Sequence, residues 1–167
     1  IAAAAAASLG RIGGADAVAA LSGVRDSAPA TVQPAVLVSL LKCADLLRGS
    51  GDSKAATDVY RTLIEEKYPV QIRVAAWRGF ALADSSQRTE LITRALAGAD
   101  GPIHTAALKL IREQPDGRVI RACLGQWTSL PADAQLAVLD SQMPLGAALP
   151  VAQLASQSTH AAVRAAA

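Results

Sequence analysis

Apolar positions along this 167-residue chain fall into columns when it is laid out from residues 1, 32, 72, 103, 134 and 163, at steps of 31, 40, 31, 31 and 29 residues. Each start opens a short phrase: a β-branched or small apolar residue, a polar residue, any residue, then alanine. It reads Val32-Gln33-Pro34-Ala35, Ile72-Arg73-Val74-Ala75, Ile103-His104-Thr105-Ala106, Ala134-Gln135-Leu136-Ala137 and Val163-Arg164-Ala165-Ala166, and Ile1-Ala2-Ala3-Ala4 fits the same frame. Five positions after the start come Ala6, Leu37, Trp77, Leu108 and Leu139; eight after come Leu9, Leu40, Phe80, Ile111 and Gln142. Offsets of 0, 4, 5 and 8 form one stripe of a helix with 3.6 residues per turn, so each repeat opens with an amphipathic helix.

A second apolar column lies twenty positions after the start, at Leu21, Ile92, Cys123 and Leu154, and a looser one at Arg25, Leu96, Trp127 and Ser158. It predicts a second helix, and turns at Gly10 and Gly13, Gly101-Pro102 and Asp116-Gly117 separate the helices. The fold class expected is all-α: a right-handed α-solenoid of about five helical hairpins, since a fixed period in this range means stacked repeats. The hairpins fall near 1–28, 29–68, 69–100, 101–131 and 132–158 in one domain spanning 1–167, with 159–167 as the first helix of a further repeat. The chain is expected to be a segment of a longer solenoid. The 40-residue step holds a longer first helix, over 31–47, and a second over 52–66 in which Ala56, Tyr60 and Leu63 have the spacing of a tetratricopeptide-type second helix. The alanine column at Ala4, Ala35, Ala75, Ala106, Ala137 and Ala166 is expected to mark close helix–helix contact, because only a methyl group is admitted there.

Composition agrees with thin helical layers. The chain is rich in alanine, the best helix former, and only 3% of it is aromatic. A net charge of +2 with interspersed signs argues against a strong sequence-independent nucleic-acid binder. No long uncharged apolar run is present, so no membrane insertion is expected. Cys43 and Cys123 stand alone, which excludes a disulfide framework or a zinc knuckle.

The opening run from Ala4 to Leu21, with Leu9-Gly10-Arg11-Ile12-Gly13 at its centre, resembles the HEAT-like repeat of the phycobilisome-lyase type. The resemblance covers essentially the whole chain and is weakest over 32–71. It implies a HEAT-like α-solenoid with one tetratricopeptide-like unit; it does not imply lyase activity, because a fold does not fix a function. The slot one after each start, where such repeats often carry an arginine paired with an upstream aspartate, holds Ala2, Gln33, Arg73, His104, Gln135 and Arg164. Asp26 and Asp100 would face Gln33 and His104, so a continuous side-chain ladder is not expected.

Candidate chemistry is sparse. His104 reads as a surface residue at a helix start, and His160 as another helix-start residue too far along the chain to share a metal with it. Trp77 and Trp127 align with leucines, and Cys43 and Cys123 with isoleucine and leucine positions, so all four read as core. No nucleophile motif, phosphate-binding loop or paired metal histidines occur. No catalytic, cofactor or metal residue is assigned, and the chain is read as not an enzyme.

The outward face of the second helices gathers positions at offsets 15, 18 and 22. In the third and fourth hairpins it carries Gln87, Glu90, Arg94, Arg118 and Arg121, which form the candidate partner-binding set. Arginine suits carboxylate and phosphate partners. The function expected is a non-catalytic protein–protein interaction or scaffolding module with a protein partner. The alternatives are a nucleic-acid-binding HEAT-like module, as in DNA glycosylases of that fold, or a structural spacer in a larger protein.

Overall fold

A computed structural model describes residues 1–141 and 145–167, with side chains of 145–147 excepted. Among the described residues all regular structure is helical, and none of the helices is long and apolar enough to cross a membrane. By its internal contacts the chain divides into two compact units, Ile1–Ser85 and Ser86–Ala167. The division falls within the third predicted hairpin.

The first unit holds α1 (Ala2–Ile12), α2 (Gly14–Val24), α3 (Gln33–Gly49), α4 (Ser53–Leu63) and α5 (Val70–Ala83). Helix α1 packs on α3, and α3 on α5; α2 lies against α1 and α3, and α4 against α3 and α5. In α3 and α5 the predicted stripe is the buried face; in α1 only Ala6 of it is buried. Val36, Leu37 and Leu40 of α3 and Ile72, Trp77 and Phe80 of α5 are buried, and Ala56, Tyr60 and Leu63 of α4 meet them. Burying a large aliphatic side chain contributes about 1.5–3 kcal/mol, so these columns hold the layers together.

The element ends have local causes. Gly13 adopts φ 69, a conformation that side-chain-bearing residues rarely take, and so joins α1 to α2 with a single residue. Gly10, expected to help end α1, lies inside it, where a β-carbon would run into Ser39 of α3. Helix α3 runs two residues later than predicted at both ends; its start is delayed because residues 29–32 form a turn closed by Val32 N–H on the Pro29 carbonyl at 2.8 Å. Helix α4 starts where Asp52 accepts from Ala55 N–H at 3.1 Å, and ends at Leu63, before the predicted 66.

The second unit holds α6 (Arg88–Ala97), α7 (Gly101–Glu113), α8 (Gly117–Gly125), a 3₁₀ turn at Trp127–Ser129, α9 (Ala132–Leu139), α10 (Leu145–Ser156) and α11 (Ala161–Ala166). Packing again skips a helix: α6 meets α8, α7 meets α9, and α9 meets α11. Asp100 caps α7 through Ile103 N–H at 3.2 Å, and Asp116 caps α8 through Arg118 N–H at 2.8 Å. Ile92, Leu96, Cys123 and Trp127 are buried, as their columns require. Gln142, the polar member of the offset-eight column, lies outside the described residues.

The alanine column does not mark the tight contact. Ala4, Ala75 and Ala166 are exposed and Ala35 is half-buried; only Ala106 and Ala137 are enclosed. In the four inner repeats the tight position is the next one, where Val36, Ala76, Ala107 and Val138 are buried, while Ala5 and Ala167 of the outer ones are exposed. A helix face that points at its neighbour is narrow, and a step of one residue turns a side chain by about 100° away from it.

Candidate functional site

The five residues expected to bind a partner all lie in the second unit, on two helices that pack together, α6 and α8. Glu90 and Arg94 are exposed on α6 and form an i,i+4 ion pair at 3.9 Å. Both are more than two-thirds exposed, so the pair contributes little and leaves Arg94 available. Arg118 and Arg121 are exposed, one turn apart on α8, and among the described residues neither forms an ion pair. Gln87 differs: it is half-buried at the N-cap of α6.

A fixed contact orients this surface. Arg88 Nη1 lies 3.3 Å from Asp116 Oδ2, tying the first turn of α6 to the cap of α8. Burial pushes the Asp116 carboxyl up, but the N–H groups of Arg118 and Val119 together with Arg88 outweigh it and hold the carboxyl below its ordinary range. The carboxylate at the start of α8 is therefore already engaged, and Arg118 and Arg121 point their charge at solvent.

The slot one after each start from 32 onward has a common role that its mixed residue types concealed. Gln33 Nε2 donates to the Arg25 carbonyl at 3.3 Å, and Arg73 Nε to the Ile64 carbonyl at 3.3 Å. His104 Nδ1 faces the Ala95 carbonyl at 3.3 Å. Gln135 Nε2 donates to the carbonyls of Trp127 at 2.9 Å and Leu130 at 3.0 Å, and Arg164 Nη1 to that of Ser158 at 2.7 Å. Each reaches back to the end of the preceding second helix, or just beyond it, where carbonyls lack partners within the helix. The side-chain ladder expected to be interrupted is replaced by a series of clasps on main-chain oxygens.

Two of these clasps also reach forward to the next repeat. Gln135 Oε1 accepts from Ser158 Oγ at 2.6 Å, and Gln135 is only 1% exposed. His104 Nε2 lies 2.8 Å from Asp133 Oδ2 at the start of α9. The expectation of a surface histidine therefore fails: its side chain is 15% exposed and both ring nitrogens face oxygens. Burial pushes the Asp133 carboxyl up, but the His104 hydrogen bond and charge and the Ala134 N–H bring it below its ordinary range. An open groove of about 730 Å³ runs past this pair, lined also by Ser129, Thr159 and His160. Among the described residues no three histidine, cysteine or acidic side chains gather as metal ligands would.

Trp77 and Trp127 are each 4% exposed and Cys43 and Cys123 are fully buried, as the columns indicated. Burial pushes the Cys123 thiol up to about 11 and raises Cys43 as well. Neither tryptophan offers a face for stacking. Neither a family model, nor a curated protein, nor a solved structure matches the chain.

Proposed function

We propose that the chain is a HEAT-like helical-repeat module, with a tetratricopeptide-like second repeat, that works as a non-catalytic protein–protein interaction or scaffolding unit. Support for the repeat reading comes from packing within each unit, where helices meet their second neighbours in the order α1–α3–α5 and α7–α9–α11. First helices of consecutive hairpins would stack this way. The α-solenoid of about five hairpins remains the arrangement that the columns favour.

One observation carries the functional reading: Arg118 and Arg121 stand a turn apart on α8, exposed and without a carboxylate partner among the described residues. With Arg94 on the adjacent α6 they make a guanidinium surface suited to an acidic protein segment. The histidine–aspartate pair is engaged in joining repeats, which favours binding over catalysis.

The test is capture of a partner from the native source by the wild-type chain and by the Arg118→Glu, Arg121→Glu variant. Capture should be lost with the helical circular dichroism spectrum unchanged. Capture that survives the double reversal assigns the binding surface elsewhere. The nucleic-acid reading has less support, because both tryptophans are buried and the net charge is small. A salt-dependent shift of duplex DNA would restore it.

A further inference from the structure

A second surface lies in the first unit. Helices α2 and α4 both pack on α3. Between them runs a cleft of about 370 Å³, within the usual size of binding clefts of about 300–1,000 Å³. Its α2 wall is Ala15, Val18, Ala19 and Ser22, spaced i, i+3, i+4 and i+7. Its α4 wall is Ala55, Asp58, Val59 and Thr62, with the same spacing, and Leu47 of α3 also lines it. The walls do not close because the α2 side chains are small. Ala15 and Ala19 remain exposed and Val18 and Leu47 half-buried, so apolar surface is left open to water.

The charge that lines the cleft has one sign. Its only charged lining residues are Asp52 and Asp58, both exposed; at its rims Asp16 stands exposed beside Ala15 and Lys54 beside Ala55. No lysine or arginine lines it. Arg61 approaches Asp58 only to 3.9 Å with both side chains more than half exposed, so it competes weakly for that carboxylate.

We propose that the α2–α4 cleft is a docking groove for the apolar face of a basic amphipathic helix. Helical walls with i, i+3, i+4, i+7 spacing match the anchor spacing of a helix laid into a groove. Addition of an extended strand is not offered, since no strand edge exists among the described residues. The carboxylates select lysine or arginine beside the anchors and repel an acidic helix. It belongs to the first unit, whereas Arg118 and Arg121 belong to the second, and it attracts the opposite charge.

The experiment uses the full 167-residue chain and two fluorescein-labelled synthetic helices. Both carry leucines at i, i+3, i+4 and i+7; one is flanked by lysines, the other by glutamates. In fluorescence anisotropy at physiological salt the lysine peptide should bind and the glutamate peptide should not. Ala19→Trp, which fills the cleft from an exposed position, should weaken lysine-peptide binding at least tenfold. Asp58→Lys should weaken it severalfold with the fold intact by circular dichroism. Arg118→Glu with Arg121→Glu should leave it unchanged. Equal binding of the two peptides, no binding of either, or indifference to Ala19→Trp overturns the proposal. Stronger binding to the Arg118→Glu, Arg121→Glu variant would also overturn it, as the mark of unspecific charge attraction.

Discussion

Tyr60 of α4 rests its ring against Gly79 of α5, in the space that a β-carbon on Gly79 would occupy. The ring has no freedom to retreat: Tyr60 is 1% exposed, and its hydroxyl donates to Asp45 Oδ1 at 2.6 Å. Alanine in place of glycine inside a helix ordinarily stabilises by about 1 kcal/mol. Here overpacking, at about 1–3 kcal/mol, should exceed that gain. Gly79→Ala is expected to lower stability by up to about 2 kcal/mol net, read from urea midpoints. Combining it with Tyr60→Ala should cost less than the two single changes added, because the clash is gone.

Gln135 offers a sharper test of the clasps. Its amide satisfies two carbonyls and a serine hydroxyl from within the core. Gln135→Leu leaves the two carbonyls and the serine hydroxyl without this partner, and a buried polar group left unpaired costs about 1–3 kcal/mol. The expected loss exceeds about 2 kcal/mol in chemical denaturation. Gln33→Leu, at a half-buried site with one 3.3 Å bond, should lose less than about 1 kcal/mol. Equal losses at the two sites would show that the clasps do not act through satisfaction of buried oxygens.

Acid should loosen the junction at Asp26. The Tyr68 hydroxyl, donating at 2.6 Å, is the main cause that holds this carboxyl down at about 2, followed by the Arg25 guanidinium. An unfolded chain takes up the proton near 3.8 and the folded chain only near 2, so protons favour the unfolded state between those values. The contribution is complete above about pH 4 and fades as pH falls toward 2. Asp26→Asn should flatten the fall of the urea midpoint across that window. An unchanged slope would assign the acid sensitivity to other carboxylates, Asp116 and Asp133 among them, which are also held low.

The two thiols should be silent in the native state. Both are buried, and burial pushes Cys123 up to about 11, so the reactive thiolate is scarce at neutral pH. A disulfide-exchange reagent should label two cysteines at once in urea, but in buffer only at the rate of opening. Rapid labelling of Cys123 in buffer would contradict its place against the core.

Much of this was legible in the sequence because periodicity reports burial. Leu37, Trp77 and Ile111 fall into one stripe and each is buried, and the same columns place Trp127 and Cys123 in core positions, where both are buried. Alanine misled, since a methyl group suits a tight contact and a solvated edge equally; Ala75 is exposed while Ala76 is fully buried. The clasps were invisible for a different reason. Their acceptors are carbonyl oxygens, which every residue has, so no partner residue type marks them. The exposed positions of Arg118 and Arg121 followed from helix phase, whereas the tie between Arg88 and Asp116 depends on two helices meeting.

The clasps also bear on how freely such a chain can be rewritten. A joint between two side chains needs both to change in concert, as a key with its lock. A joint that grips main chain needs only a donor of adequate reach, and glutamine, arginine and histidine each serve here. At these joints one donor can be exchanged for another without its neighbour being recut to fit, whereas the seat of Tyr60 against Gly79 still binds two repeats to each other's shape.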